Sequence, residues 1–191
     1  MRVLFMGTPD FARVVLEALV HSRHEVVCVV TQPDKRGNHG MICPPVVKTY
    51  AESVGLPVRQ YAKVRAEGTE EMRSFGADIY VTAAYGQLLD KAILDSAKYG
   101  TVNVHASLLP AYRGSCPVQR AIMNGEKQTG VTIMQTAEGL DTGDILLVKK
   151  TDISDTDTAE TLMAKLASLG AEALLEYLDE LESGKVTRIA Q

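Results

Sequence analysis

Residues 1–31 read MRVLFMGTPDFARVVLEALVHSRHEVVCVVT. Residues 3–6 are a short apolar run closed by Gly7, the pattern of a strand buried on both faces. Thr8 is placed to cap a helix, with Pro9 in the first helical position. Phe11, Val14, Val15, Ala18 and Leu19 then recur at helical spacing. Residues 25–31, with VVCVV at their centre, predict a second buried strand. Two parallel strands need a crossover between them, so strand, helix and strand in this order is the unit of a parallel sheet.

Working outward, residues 32–45 are rich in Gly, Pro and polar groups and predict a loop. Residues 46–53 predict a helix ended by Gly55, with Pro57 beyond it. Val58 opens a short strand. Helices are expected over 69–75, 90–97 and 117–124, and strands over 79–83, 102–104, 131–135 and 145–148. The strand at 131–135 shows the alternation of a half-buried strand. Asp157 and Glu160 have the spacing of a capping box. They precede a long helix whose buried face is marked by Leu162, Leu166, Leu169, Ala173, Tyr177 and Leu181. No repeat or low-complexity linker interrupts the chain. The expectation is one α/β domain, with a Rossmann-like, open, mostly parallel sheet flanked by helices. Ligands of such sheets bind beyond the carboxyl ends of the strands. That rule points to the loops after Met6, Thr31, Thr82, Val104 and Gln135.

Composition narrows the function. The net charge is −4, and the densest basic patches are only Lys35-Arg36 and Lys149-Lys150. A protein that grips a phosphate backbone usually carries a basic stripe. This chain alone is therefore expected to hold RNA weakly, although a local contact with one RNA end remains open. Cys28, Cys43 and Cys116 lie far apart, without zinc-site or disulfide spacing, and favour a reducing compartment. No metal site is expected, and Cys28 reads as a buried small hydrophobe. The first apolar run is too short for a signal peptide, and no segment could span a membrane. A cytoplasmic protein, without a membrane partner, is expected. Gly7-Thr-Pro-Asp-Phe-Ala12 does not match G-x-G-x-x-G and no Walker sequence occurs, so nicotinamide and nucleotide cofactors are not expected. Ser107 and Ser115 lack a nucleophile-elbow setting, which speaks against serine hydrolysis. His21, His24 and His39 read as surface or loop residues, and 185–188 as an exposed ending.

Two stretches could carry chemistry. In Gly100-Thr-Val-Asn103-Val-His105, Asn103 and His105 are two apart at a strand end and share one face. An amide donor and a titratable imidazole converging there could stabilise a developing oxyanion. A polar strand end satisfied by loop backbone is the plainer alternative. In Gly139-Leu-Asp141-Thr-Gly143-Asp144, glycines flank an aspartate in the manner of a tight loop. Asp141 could accept a hydrogen bond from His105, or the stretch could simply be a turn between strands.

Asn103-Val-His105-Ala-Ser-Leu-Leu-Pro110, followed by Arg113-Gly114, closely resembles the catalytic stretch of folate-dependent formyltransferases. Residues 130–145, GVTIMQTAEGLDTGDI, resemble that family's second signature. Residues 5–12, 30–34, 82–87 and 117–122 are similar to the methionyl-tRNA branch of the family. The resemblance runs along essentially the whole chain.

The resemblance implies attack by an amine on the formyl carbon of 10-formyltetrahydrofolate, with no metal. Asn103 and His105 would donate to the tetrahedral oxyanion, and Asp141 would orient His105 and help move protons. It implies folate contacts at Tyr85, Gly86, Gln87, Leu88 and Leu89, at Ser107, Leu108, Leu109 and Pro110, and at Ala137, Glu138 and Gly139. Gly7, Thr8, Phe11 and Arg36 would face the acceptor, initiator methionyl-tRNA. It further implies a cis Leu109-Pro110 bond and a monomer. Residues 1–191 would be the catalytic domain, without the family's C-terminal β-barrel that contacts tRNA. The loop at 35–44 is shorter and less basic than the family's usual tRNA-reading loop. A relative acting on an amino sugar nucleotide, a formyltetrahydrofolate hydrolase, and a non-enzymatic folate-binding module are the alternatives.

Overall fold

In the computed structural model, which describes residues Met1–Gln191, the opening run forms strand β1 (Arg2–Gly7), helix α1 (Asp10–Val20) and strand β2 (Glu25–Thr31). Residues 3–6 are fully buried. β1 needs apolar side chains on both faces because it pairs in parallel with β2 on one side and with a later strand on the other. The helix begins one residue later than expected: Pro9 is the N-cap, and no side chain caps it. The Thr8 hydroxyl instead donates to the Tyr85 carbonyl at 2.9 Å and accepts from the Gln32 N–H at 3.3 Å. The buried face of α1 is Phe11, Ala12, Val15, Leu16 and Leu19, so Val14 and Ala18 lie at its margin.

The chain divides into two compact units, Met1–Thr101 and Val102–Gln191. After β2, the first unit continues with an antiparallel hairpin of β3 (Lys35–Arg36) and β4 (Ile42–Cys43), in the segment expected to be wholly loop. Then come α2 (Val46–Ser53), β5 (Val58–Gln60), α3 (Val64–Glu67), α4 (Thr69–Ser74), β6 (Ile79–Ala83) and α5 (Lys91–Leu94). The strands run β5-β2-β1-β6, with three parallel ladders. α3 is too short to give a readable period in sequence. α5 is a single turn rather than the expected eight residues, capped by Asp90, whose carboxylate accepts from the Ile93 N–H at 3.1 Å. His24, expected at the surface or in a loop, lies in the loop before β2 but is buried, and its Nδ1 lies 3.1 Å from the Met1 amine. Cys28 is buried as expected, and burial pushes its thiol up to about 12.

The second unit carries β7 (Thr101–His105), whose first residue closes the first unit, then α6 (Pro117–Met123), β8 (Gln128–Gln135), β9 (Ile145–Asp152) and α7 (Ala159–Glu182). β7, β8 and β9 pair antiparallel in that order. β8 was expected as an alternating half-buried strand, yet 129–134 are buried without a break. The reason is that β8 is a middle strand of this unit with α7 packed on it. α7 has 24 residues, about 36 Å at 1.5 Å per residue. Its cap is Thr158 with Thr161, not Asp157 with Glu160. Its buried stripe runs through Leu162, Leu166, Gly170, Ala173, Leu174 and Tyr177, with Leu169 and Leu181 only half-buried at its edge. No helix is long and apolar enough to cross a membrane.

Candidate active site

β7 ends at His105, and its register sets the site. Asn103 lies opposite Met134 and His105 opposite Thr132 on β8. Asn103 and His105 share a face, with Asn103 half-buried and His105 only 7% exposed. The Nε2 of His105 lies 3.0 Å from the Tyr112 carbonyl. A carbonyl only accepts, so Nε2 carries a proton in this contact. The other ring nitrogen, Nδ1, is 3.7 Å from Asp141 Oδ2. That is longer than a direct hydrogen bond, and it is an ion pair only when the ring carries a second proton.

Asp141 is held by its own loop. Its backbone is left-handed, with φ at 51°, a conformation aspartate tolerates better than most residues. Its Oδ2 accepts the Gly114 N–H at 2.7 Å, so the carboxylate joins the 137–144 loop to the 111–116 loop. Gly143 is required by space. A Cβ there would sit 1.5 Å from the Gln135 carbonyl oxygen. The 111–116 loop also holds Tyr112 and Cys116 at φ of 57° and 61°.

The turn after β7 is pinned by Thr132. Its buried hydroxyl donates to the Ser107 carbonyl at 2.7 Å and accepts from the Leu109 N–H at 3.1 Å. The Ser107 hydroxyl donates to the Ala111 carbonyl at 2.7 Å. Leu109 packs with Met134 and Ile145, Leu108 is half-buried and Pro110 is exposed. The Leu109-Pro110 bond is cis, as the resemblance implied. Ala137, Glu138 and Gly139 are exposed at the loop's crest.

In the first unit, the loop after β6 is occupied with its own order. The Gln87 amide accepts from the Val64 N–H at 2.8 Å. It donates to the Tyr61 carbonyl at 2.7 Å and to Gln32 Oε1 at 3.0 Å. Gly86 has φ of 93°, and a Cβ there would meet the Gln32 amide at 2.8 Å. The Tyr85 ring is 4% exposed, its hydroxyl has no partner, and burial raises its pKa. Leu89 packs against the core, whereas Leu88 is exposed. Of the acceptor-side residues, Gly7 is buried with no room for a Cβ, and Phe11 is packed into the core. Arg36 is exposed on the β3–β4 hairpin.

Sequence reading missed four residues of this arrangement. Thr132 and Gln191, whose amide donates to the Asp141 carbonyl, gave no local signal because their contacts are distant in sequence, and Tyr112 gave none because it acts through its carbonyl alone. Gly114 was visible only within the Arg113-Gly114 resemblance. No group of three or more metal-ligating side chains is present.

This architecture, with a polar strand end facing an aspartate loop, has clear relatives. The Formyl transferase family matches residues 1–178, and the chain belongs to that family. The phosphoribosylglycinamide formyltransferase of Bacillus halodurans is 26% identical with a TM-score of 0.78, covering 96% of each chain. A formyltetrahydrofolate deformylase from Pseudomonas syringae is 21% identical, with a TM-score of 0.81 over 99% of this chain and 65% of its own. The fold is therefore the α/β, Rossmann-like formyltransferase fold. Among curated relatives, a methionyl-tRNA formyltransferase from a Geobacillus species is 48% identical over 192 residues, all of this chain and 60% of its own length. That of Citrifermentans bemidjiense is 49% identical over 188 residues, 97% of this chain and 59% of its own. The chain thus spans about 60% of the length of the curated relatives it matches.

Proposed function

We propose that residues 1–191 form the catalytic domain of a methionyl-tRNA formyltransferase, moving a formyl group from 10-formyltetrahydrofolate to the amine of methionyl initiator tRNA. The observation that carries this reading is the 48% identity to an enzyme of that name over the whole chain. The site's chemistry is consistent with it. The acceptor amine attacks the formyl carbon, a C–N bond forms, and the carbonyl oxygen takes negative charge. Asn103 and the Nε2–H of His105 are the donors for that oxygen. To reach it, Nε2–H exchanges the Tyr112 carbonyl for the substrate oxygen, so the 111–116 loop must yield. Asp141 faces Nδ1, supports positive charge on the ring, and takes up the amine proton through water. The folate N–C bond then breaks, and that nitrogen leaves with the proton that Asp141 took up, returned through water.

Leu88 and the backbone of 85–89, the turn 107–110 and the exposed crest 137–139 are the proposed folate contacts. Gly7, Thr8, Phe11 and Arg36 are the proposed acceptor-side residues. The buried side chain of Phe11 suits it to shape the loop rather than to touch substrate. We place the enzyme in the cytoplasm as a monomer that holds tRNA weakly through this domain alone, because its net charge of −4 gives little long-range attraction to RNA.

Turnover of 10-formyltetrahydrofolate should be measured with charged initiator tRNA, with an amino sugar nucleotide, and with water as the sole acceptor. Formyl-methionyl-tRNA should be the main product. Preference for the sugar, or equal formate release without any acceptor, would replace this reading with one of its relatives.

A further inference from the structure

The geometry points to Gln191 as a positioning residue that locks the Asp141 loop. The inference rests on the reading of Asp141 as part of the formyl-transfer site. The tail after α7 returns to β9, where Ile189 and Ile145 exchange two backbone hydrogen bonds at 2.7 and 2.9 Å. That bridge delivers Gln191 to the loop that immediately precedes β9. The Gln191 amide nitrogen donates to the Asp141 carbonyl at 3.0 Å and to the Gly143 carbonyl at 2.6 Å. Its oxygen accepts from Arg113 Nε at 3.1 Å. Arg113 is tethered in turn, because its carbonyl accepts from an Arg120 guanidinium nitrogen of α6 at 2.5 Å.

One side chain thus spans both loops that meet at the catalytic carboxylate. The second link between those loops is the carboxylate itself, through Gly114 N–H. Asp141 sits in a left-handed backbone that an L side chain rarely adopts. A loop in that state keeps its carboxylate at one place only if its carbonyls are held from outside. Gln191 supplies that hold: two donors on the loop's carbonyls and one acceptor for the arginine of the facing loop. No other residue type offers both at that reach. Glutamate keeps the acceptor but loses the donors, and asparagine is one methylene short.

The test is formyl transfer by the chain and by the variants Gln191→Glu and Gln191→Met, each alone and combined with Asp141→Asn. Both single variants should lower kcat on the order of 10–100-fold, the scale of a small misplacement of a catalytic group. In the Asp141→Asn background the same changes should cost almost nothing, because the group they position has lost its charge. A merely structural role would cost the same in both backgrounds and would overturn the inference. The Gly114 amide gives a readout independent of turnover. Its hydrogen exchange should quicken in Gln191→Met with the melting temperature kept. Unchanged exchange in that variant would also overturn the inference. If the unaltered chain turned over no formyl donor while Gly114 exchange still responded, the functional reading would fall and the clamp would stand.

Discussion

The loop after β6 and the loops after β7 and β8 are ordered by different balances of side-chain bonds and backbone conformation. In the first, the Gln87 amide is engaged at three points, and Gln32, Gln60, Asp34 and Lys48 extend the web. Gln60 donates to the Gln32 carbonyl and to Asp34, and Lys48 pairs with Asp34 at 3.0 Å. The loop is a set of side-chain amides closing on backbone. In the second, the backbone itself is more often unusual, with Tyr112, Cys116 and Asp141 at positive φ, against Ala84 alone among the non-glycine residues of the first. Each such residue costs about 1–3 kcal/mol unless its surroundings impose it. At Asp141 what holds it is the Gly114 N–H on its carboxylate and the Gln191 amide on its carbonyl. The first arrangement resists change by redundancy, whereas the second holds one carboxylate in one place. Substitutions in the first region should therefore act on stability, and those in the second on rate.

The sharpest break of that contrast is Asp141→Asn. It keeps the shape and can still accept from Gly114. It removes the charge facing His105 Nδ1 at 3.7 Å. We expect kcat to fall by about 10²–10³, the usual cost of one electrostatic contributor at an oxyanion site. The melting temperature should change little. A comparable fall in stability, measured by urea unfolding, would mean that the carboxylate is chiefly a fastener of the loop.

At the opposite pole is Leu4→Ala in β1. Leu4 is fully buried and belongs to the core cluster with Met6, Tyr61, Met72 and Tyr85. Removing it should cost about 2–5 kcal/mol of stability through lost transfer energy and the cavity left behind. The rate per folded molecule should stay close to that of the unaltered chain, assayed well below the melting midpoint.

Gln87→Leu lies between the two. It leaves the Val64 N–H and the Tyr61 carbonyl without their partner, and should cost about 1–3 kcal/mol in urea unfolding. If the side chain instead reads folate directly, the KM for 10-formyltetrahydrofolate would rise with stability unchanged. That result would move the loop after β6 from the stability side of the comparison to the substrate-binding side.

The same contrast governs what could be read from sequence. β1, α1, β2 and β6 were legible because burial and period act locally: an apolar run of four or five residues closed by Gly7 has few other solutions. The β6 strand at Ile79–Ala83 matched residue for residue. The two-residue strands of the 35–43 hairpin carried too little pattern to see. β8 misled because Thr132 between Val131 and Ile133 mimics alternation, although it is buried. In the candidate site, Asn103, His105 and Asp141 were legible through residue chemistry and resemblance. Tyr112 and Gln191 were not, since one contributes only its carbonyl to His105 and the other lies 50 positions from Asp141. Nothing in the local sequence of either announces its partner.

The smallest expected effect separates a cap from an ion pair. The spacing of Asp157 and Glu160 predicts a cap for α7, but Thr158 has that role. Asp157 instead accepts from Lys165 at 2.7 Å, from the Ser154 N–H at 2.8 Å and from the Thr161 hydroxyl at 2.9 Å. The Lys165 ammonium first, then the Ser154 amide, hold its carboxyl at about 2, below the ordinary range. A depressed folded pKa means that the native state binds the proton less readily than the unfolded chain, whose aspartates titrate near about 3.9. The stabilisation is then fully present above that pH and is lost as pH falls through about 2. Other carboxylates, Asp34 and Glu71 among them, are also depressed and also destabilise the fold in acid. The informative quantity is therefore the difference in urea midpoint between the chain and Asp157→Asn, followed downward in pH. It should be constant near neutrality, shrink below about pH 4 and vanish near about pH 2, because the protonated acid and the amide then make similar bonds. Both regions of the comparison lie outside this change, so turnover at neutral pH should be the same in the two proteins. A midpoint difference that did not vary with pH would assign Asp157 to turn geometry alone, with Lys165 contributing nothing through charge.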